Sequence, residues 1–256
     1  MQKNGFNVLA FLFPVLFLFP LFSCVSSAAK AEEYYALGTA YFELQKYAEA
    51  ESWFNRAKFH RSTKTASEYN LGRIAYETGR YKEAYSYFEQ ILGKDEENIT
   101  ALKAAAYTCI KLEELEKAEK HYRKILDLVP ESYDDGYNYA LVLLALGKTE
   151  ASEKVLIKYN NTENPQALLI LARSQKLQGK PEAADAYSAS LLKEDDPLVR
   201  IEYAAYLAGT GLKAKALEEY GKALENSGLS EEKKEEVRKA VELLETDGKR
   251  GAEADL

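Results

Sequence analysis

Small residues recur at nearly constant intervals along this chain, and this periodicity constrains its fold more than any other feature. Six of them are separated by 34 or 32 residues: Gly38, Gly72, Ala106, Ala140, Ala172 and Ala204. Each is followed twelve residues later by a second small residue: Ala50, Ala84, Ala118, Ser152, Ala184 and Ala216. A period of this length indicates an array of similar units that stack on one another.

The internal spacing of each unit predicts a pair of antiparallel helices. Two small side chains twelve residues apart let two helix backbones approach closely on either side of a short turn. In four units a glycine lies in the predicted turn, seven residues after the first small residue: Gly79, Gly147, Gly179 and Gly211. Glycine adopts the positive φ that ends a helix. We therefore expect six helical hairpins and an all-α fold.

The first hairpin resembles a tetratricopeptide repeat at nearly every signature position. The matching residues are Tyr34, Leu37, Gly38, Tyr41, Tyr47, Ala50, Phe54 and Ala57. The fifth copy is the most divergent, because Pro181 follows its turn and Ser188 replaces the large residue of its second helix. The resemblance implies a right-handed α-α superhelix of six units. Their predicted bounds are 31–64, 65–98, 99–132, 133–164, 165–196 and 197–230.

A final helix is predicted to close the array over residues 231–247. Ser230, followed by two glutamates, favours a helix start. One apolar stripe follows, made of Val237, Ala240, Val241 and Leu244. A solenoid needs a capping helix whose outer face is polar, since an uncovered terminal repeat would expose an apolar face to water. Residues 248–256 are expected to form a flexible tail.

The amino terminus predicts export from the cell. Residues 8–22 form an apolar run that is shorter than a spanning helix and contains Pro14 and Pro20, so we interpret residues 1–23 as a signal peptide. Residues 21–24, Leu-Phe-Ser-Cys, resemble a bacterial lipobox, which implies diacylation of Cys24 and a short membrane tether over residues 24–30. The alternative is ordinary cleavage after Ala28 or Ala29, which would remove Cys24.

Composition argues against nucleic-acid binding and catalysis. The chain has a net charge of −7, whereas nucleic-acid-binding surfaces are basic. Its two histidines, His60 and His121, have no partner at metal-ligand spacing, and we expect both to be solvated surface residues. Cys109 is expected to be a small buried hydrophobe. We therefore predict no enzymatic activity, no cofactor and no metal site.

The tetratricopeptide resemblance also implies a concave wall made by the first helix of each hairpin. The candidate groove residues there are Tyr35, Tyr69, Asn70, Arg73, Lys103, Tyr107, Tyr137, Asn138 and Arg173. Tyrosine and arginine give a large contact area, and asparagine can pair with both polar groups of a peptide backbone. Asn70 and Asn138 occupy the same place in their units, which favours peptide binding. The alternative is that some of the tyrosines pack between helices.

These observations suggest a membrane-anchored protein-protein interaction scaffold in the bacterial cell envelope. It would be exported, held by a lipid on Cys24 at the periplasmic or the surface face, and would bind a segment of a protein partner during assembly of an envelope complex. Two alternatives stay open. One is a component that binds or helps to transport a small apolar ligand, and the other is a surface adhesin.

Overall fold

The computed structural model describes residues 27–159 and 163–254, and the regular secondary structure in these residues is helical. The predicted signal peptide, Cys24 and the far end of the tail lie outside the described residues. Within these two ranges thirteen α-helices follow one another. They are α1 (Ser27–Glu43), α2 (Tyr47–Ala57), α3 (Lys64–Glu77), α4 (Tyr81–Leu92), α5 (Ile99–Lys111), α6 (Leu115–Leu128), α7 (Tyr133–Ala145), α8 (Thr149–Lys158), α9 (Pro165–Leu177), α10 (Ala183–Lys193), α11 (Pro197–Gly209), α12 (Lys213–Glu225) and α13 (Glu231–Ala254).

The helices form the six predicted hairpins, and each hairpin turn contains one residue with left-handed backbone. Four of these residues are the predicted glycines, Gly79 (φ 76°), Gly147 (72°), Gly179 (71°) and Gly211 (81°). In the first and third hairpins the same place is taken by Gln45 (φ 57°) and Glu113 (60°). The turn therefore keeps its geometry even where glycine is absent.

Close approach of the two helices explains the small residues. A Cβ atom added to Gly72 would lie 2.6 Å from Cε1 of Phe88, which is closer than real Cβ contacts come. The aromatic ring of α4 thus lies directly on the small residue of α3. In the fourth hairpin, Ser152 Oγ donates a 2.8 Å hydrogen bond to the carbonyl of Ala140, twelve residues earlier. These contacts confirm the predicted hairpin packing.

The fifth hairpin departs from the predicted twelve-residue offset. Ala184 is only partly buried, whereas Ala183 and Tyr187 are completely buried. The helix α10 begins at Ala183, two residues after Pro181. The predicted offset is wrong here because the buried positions of α10 are shifted by one residue toward the N-terminus, from 184 and 188 to 183 and 187. The buried ring of Tyr187 therefore takes the place of the large residue that was expected at position 188.

Both ends of the array are longer than predicted. Helix α1 begins at Ser27, within the predicted tether and four residues before the predicted start of the first unit. Alanine and lysine at positions 28–31 favour this extension, since both are strong helix formers. Helix α13 runs to Ala254, beyond the predicted end at 247. None of the described helices is both long enough and apolar enough to cross a membrane.

The chain divides into two compact units, one ending at Ser67 and the other starting at Glu68, so that the boundary falls inside α3. The first unit has Ala50, Phe54 and Ala57 in its core, with Trp53 and Tyr34 in ring contact at 5.6 Å. In the second unit, each apolar cluster combines one hairpin with the first helix of the next. One such cluster contains Leu102, Ala106, Cys109, Ala118, Tyr122, Ile125 and Val142. Cys109 is completely buried, as predicted.

Candidate functional site

Three predicted groove residues of the second unit line one pocket. Tyr69 and Arg73 come from α3, and Tyr107 comes from α5. The pocket has a volume of about 250 Å³ and is completed by Tyr76, Glu77, Phe88 and Ala104. Positions 69, 73 and 76 follow the helical spacing i, i+4, i+7, which brings them to one face of α3. The small side chain of Ala104 leaves room for the pocket beside them.

The aromatic rings around this pocket are held in place by other rings. Tyr69 packs on Phe88 with ring centroids 5.7 Å apart. Tyr76 meets Tyr81 edge to face at 5.4 Å. Tyr107 meets Tyr122 almost at right angles, with an interplanar angle of 85°. Such packing fixes the side chains before a partner arrives, which lowers the entropy cost of binding.

The two asparagines have structural partners that the sequence did not reveal. Asn138 Nδ2 donates to the hydroxyl of Tyr107 at 2.9 Å. Asn70 is 7% exposed, and its Oδ1 accepts a hydrogen bond from Arg73 Nη1 at 3.2 Å. The recurrence of these two amides, which we interpreted as favouring peptide binding, therefore also has a structural reason. They position two residues of the pocket, and Asn70 is too buried to present an open amide surface.

The hydroxyl of Tyr76 in the pocket is protonated at neutral pH. Burial raises the pKa of Tyr76 above its ordinary value, and the nearby Tyr81 and Glu77 raise it further. Burial also raises the pKa of Tyr122, which lies behind Tyr107. A neutral hydroxyl can both donate and accept a hydrogen bond. The pocket therefore presents apolar rings together with uncharged polar groups, while Arg73 and Glu77 bring one charge of each sign.

Two of the predicted groove cations form ion pairs between neighbouring first helices. Lys103 Nζ lies 2.7 Å from Oδ2 of Asp135, which is 2% exposed. Arg173 donates to both carboxylate oxygens of Glu202, with Nη2 at 2.8 Å from Oε2. Burial alone would raise the pKa of Glu202, but hydrogen bonds from Arg173 and Tyr187 outweigh it and lower the pKa. Neither cation lines the tyrosine pocket.

The remaining predicted tyrosines favour the packing alternative. Tyr35 belongs to the first unit, where its ring contacts that of Phe54 at 5.5 Å. Tyr137 packs against a cluster that contains Ala140 and Leu156. The predicted groove residues therefore do not form one continuous site. Tyr69, Arg73 and Tyr107 come together, Asn70 and Asn138 support them, and the others lie elsewhere.

The prediction of two solvated histidines is wrong for His121. Its side chain is 14% exposed, and Nε2 lies 3.4 Å from the hydroxyl of Tyr85. Burial lowers the pKa of His121, so the ring is neutral at pH 7. The error arose because Tyr85 reaches it from another hairpin. Within the described part of the chain, no group of three or more His, Cys, Asp or Glu side chains could hold a metal ion.

Buried glutamates that the sequence analysis missed join successive hairpins. Glu119 accepts from Lys148 Nζ at 2.6 Å, and Glu153 accepts from Lys180 Nζ at the same distance. Each glutamate follows the second small residue of its hairpin, and each lysine follows the turn glycine of the next hairpin. This constant register could have been found in the sequence. It fixes the spacing of consecutive hairpins in the second unit.

Comparisons with known proteins agree with this architecture. Three segments match family models described as tetratricopeptide repeat, over residues 31–58, 75–133 and 166–196. No significant match is found among curated protein sequences.

Solved structures give the same fold. A tetratricopeptide repeat protein from Parabacteroides merdae is 22% identical with a TM-score of 0.68, over 87% of this chain and 90% of its own. YrrB, described as a TPR protein with an unusual peptide-binding site, is 19% identical with a TM-score of 0.59, over 67% of this chain and 90% of its own. MamA 41-end from Desulfovibrio magneticus RS-1 is 15% identical with a TM-score of 0.60, over 65% of this chain and 96% of its own. Together with the repeat matches, these similarities show that the chain contains tetratricopeptide repeats and has the fold of solved tetratricopeptide repeat proteins.

Proposed function

We propose that this protein is a membrane-anchored interaction scaffold of the bacterial cell envelope. In this proposal the tyrosine pocket binds an extended segment of a protein partner during assembly of an envelope complex. The observation that carries it is the pocket itself, in which Tyr69, Tyr76 and Tyr107 surround a space of about 250 Å³. Large preordered aromatic side chains are the residues that dominate binding energy at protein interfaces.

The size of the pocket favours one side chain of a peptide over an enclosed small molecule. Pockets that enclose drug-sized ligands measure roughly 300–1,000 Å³. At about 250 Å³, this pocket lies below that range. An aromatic or long aliphatic side chain would fill it, while the tyrosine hydroxyls could hydrogen-bond the backbone on either side of that anchor. The peptide-binding site named in the description of YrrB supports this choice by analogy within the fold.

The membrane anchor in the proposal rests on the lipobox-like sequence that ends at Cys24. Helix α1 begins three residues later, at Ser27. A fully extended segment of three residues spans at most about 11 Å, so a lipid on Cys24 would hold the first hairpin close to the bilayer. The protein would then be exported and would act at a membrane surface of the envelope.

Lipidation is tested by metabolic labelling with an alkyne fatty acid, followed by fractionation of the cells. We expect label on the wild-type chain and its recovery with membranes. We expect no label on Cys24→Ala, which removes the acceptor thiol. A wild-type chain that begins at residue 29 or 30 and carries no label would instead support ordinary signal cleavage and contradict the anchor.

Partner binding is tested by photo-crosslinking from position 107. A benzoylphenylalanine replaces Tyr107, which is 43% exposed, and a matched probe replaces Tyr133, which is 57% exposed and outside the pocket. We expect one partner segment to crosslink at 107 and not at 133. A synthetic peptide of that segment should bind the purified protein and bind at least tenfold more weakly to Tyr107→Ala. Equal crosslinking at both positions would place the partner outside the pocket, and a small molecule that displaces the peptide would favour the apolar-ligand alternative.

A further inference from the structure

A basic segment of the first compact unit extends from the end of α2, through the connection between the helices, into the first turn of α3. Residues 52–67 contain four Lys or Arg and no Asp or Glu, although the whole chain has a net charge of −7. The four cations are Arg56, Lys58, Arg61 and Lys64. We refer to these residues together with Phe59 as the basic loop. Arg56, Arg61 and Lys64 are exposed, and Lys58 is half-buried.

An unpacked aromatic ring lies in the middle of the basic loop. Phe59 is 86% exposed, the highest value among the large apolar side chains of the described residues. A single exposed apolar residue has no special meaning on its own. An exposed aromatic ring flanked on both sides by lysine and arginine is different, because this combination favours the interface of an anionic membrane. There the ring enters the headgroup region while the cations meet lipid phosphates.

The basic loop lies at the end of the first hairpin where the chain enters α1. Ser62 Oγ, within the loop, donates a 2.8 Å hydrogen bond to Oε1 of Glu32, in the second turn of α1. An antiparallel hairpin requires this arrangement, since the end of α2 returns to the start of α1. The loop is therefore at the same end as Ser27, the first described residue after Cys24.

The charge at this end of the hairpin remains positive when its acidic residues are included. Glu32 and Glu33 are exposed on the first turns of α1, and Glu32 already accepts from Ser62. Lys30 adds a further cation on the same turns. This end of the hairpin therefore carries five cations and two carboxylates. In the whole chain, by contrast, acidic residues outnumber basic ones by 41 to 34.

We propose that the basic loop docks on an anionic lipid surface, with Phe59 inserted among the headgroups and the surrounding cations bound to lipid phosphates. This inference extends the membrane tether proposed above, on which its cellular role rests. A lipid on Cys24 alone would leave the first hairpin free to turn about its tether. A second contact through the basic loop gives the hairpin a defined orientation on the membrane.

Vesicle co-sedimentation tests this docking without any acyl chain. The chain from residue 25 onward retains every described residue. We expect it to bind vesicles of equal parts phosphatidylglycerol and phosphatidylcholine, more weakly as salt is added, and not to bind phosphatidylcholine alone. Each basic side chain contributes about fivefold to such binding, so Lys58→Gln/Arg61→Gln/Lys64→Gln should lower the partition coefficient about a hundredfold. Phe59→Ser should lower it about tenfold.

Matched variants elsewhere separate the basic loop from general charge. Lys120→Gln/Lys154→Gln/Lys239→Gln removes three exposed cations, and Leu192→Ser removes a side chain that is 84% exposed. Both should bind the anionic vesicles within about threefold of the wild type.

Equal binding to neutral vesicles, no binding to anionic ones, or an equal loss in the control variants would overturn the inference. Equally tight binding of polyglutamate or duplex DNA would also overturn it, by assigning the loop to an acidic macromolecule. Because the assay contains no lipidated Cys24, its result is independent of the labelling test of the anchor.

Discussion

At the scale of single residues, the turn of each hairpin shows how one backbone requirement is met by different side chains. All six turns need left-handed backbone at the same place, yet only four of them have glycine there. Left-handed backbone brings the Cβ atom of an L-residue close to the following carbonyl oxygen, at a cost of about 1–2 kcal/mol. Gln45 and Glu113 adopt this conformation because the packed helices on either side impose it.

Glycine at these two turns is expected to stabilise the protein. Gln45→Gly and Glu113→Gly should each raise the free energy of unfolding by about 0.5–1 kcal/mol, because relief of the backbone cost exceeds the extra entropy that glycine gives the unfolded chain. Urea denaturation measures the change. The reverse substitution Gly147→Ala, at φ 72°, should lower stability by a similar amount. A loss of stability in Glu113→Gly would mean that the glutamate side chain contributes to the turn.

Residues whose role depends on local pattern could be predicted, and residues whose role depends on a neighbour from another helix could not. The turn glycines and buried Cys109 follow from position within one repeat. His121 was misjudged because Tyr85 covers it from another hairpin. Asn70 was misjudged because tertiary packing buries its amide. Its hydrogen-bond partner Arg73 lies only three residues away on the same helix, but that proximity does not reveal the burial.

At the scale of helices, the buried glutamates of α6 and α8 connect one hairpin to the next. Glu119 is 6% exposed and accepts hydrogen bonds from Lys148 of the following turn and from Arg123 of its own helix. Helix pairs were predictable because the small residues and turn glycines report contacts within a hairpin. The tyrosine pocket was only partly predictable, because it lies between α3 and α5 and depends on how far Ala104 lets them separate.

The link through Glu119 is expected to weaken in acid. The hydrogen bond from Lys148 outweighs burial and holds the pKa of Glu119 below its usual value of 4.5. Between the folded and unfolded pKa values the unfolded chain binds more protons, so this stabilisation is present above pH 4.5 and is lost as the pH falls below it. Glu119→Gln should cost about 1 kcal/mol of unfolding free energy at pH 7, and the difference from wild type should shrink at pH 3.5.

Glu116 offers a control on the same helix, because its side chain is exposed. Glu116→Gln should change the unfolding free energy by less than about 0.5 kcal/mol at either pH. Thermal denaturation followed by circular dichroism would give both comparisons. If the cost of Glu119→Gln stayed constant down to pH 3.5, the carboxylate charge would not be the source of the stabilisation.

At the scale of the whole molecule, the second unit is built from contacts between neighbours. Each of its apolar clusters uses one hairpin and the first helix of the next, and α13 takes that place at the end of the array. There Val237, 2% exposed, packs with Ala204 and Tyr220. In such an array a local defect should act mainly on adjacent elements.

Val237→Ala should therefore loosen the last hairpin and leave distant ones intact. Removal of two buried methyl groups should cost about 2 kcal/mol locally. Hydrogen exchange with mass spectrometry should show reduced protection in α11, α12 and α13 and unchanged protection in α4, α5 and α6. Val129→Ala, at a residue that is 39% exposed, serves as the control and should change neither region. Equal loss of protection throughout the second unit would show that it unfolds as one cooperative body.

The single tryptophan of the chain gives the first hairpin its own spectroscopic signal. Trp53 packs against Tyr34, with the guanidinium of Arg56 4.7 Å from its ring centroid. Its emission therefore reports the environment of α1 and α2, whereas ellipticity reports helices throughout the protein. Unfolding curves recorded by the two signals from one sample would compare the membrane-proximal end of the proposed scaffold with the array as a whole. Coincident curves would mean that the two compact units melt together, and separate curves would mean that the first hairpin can open while the repeats that bear the tyrosine pocket stay folded.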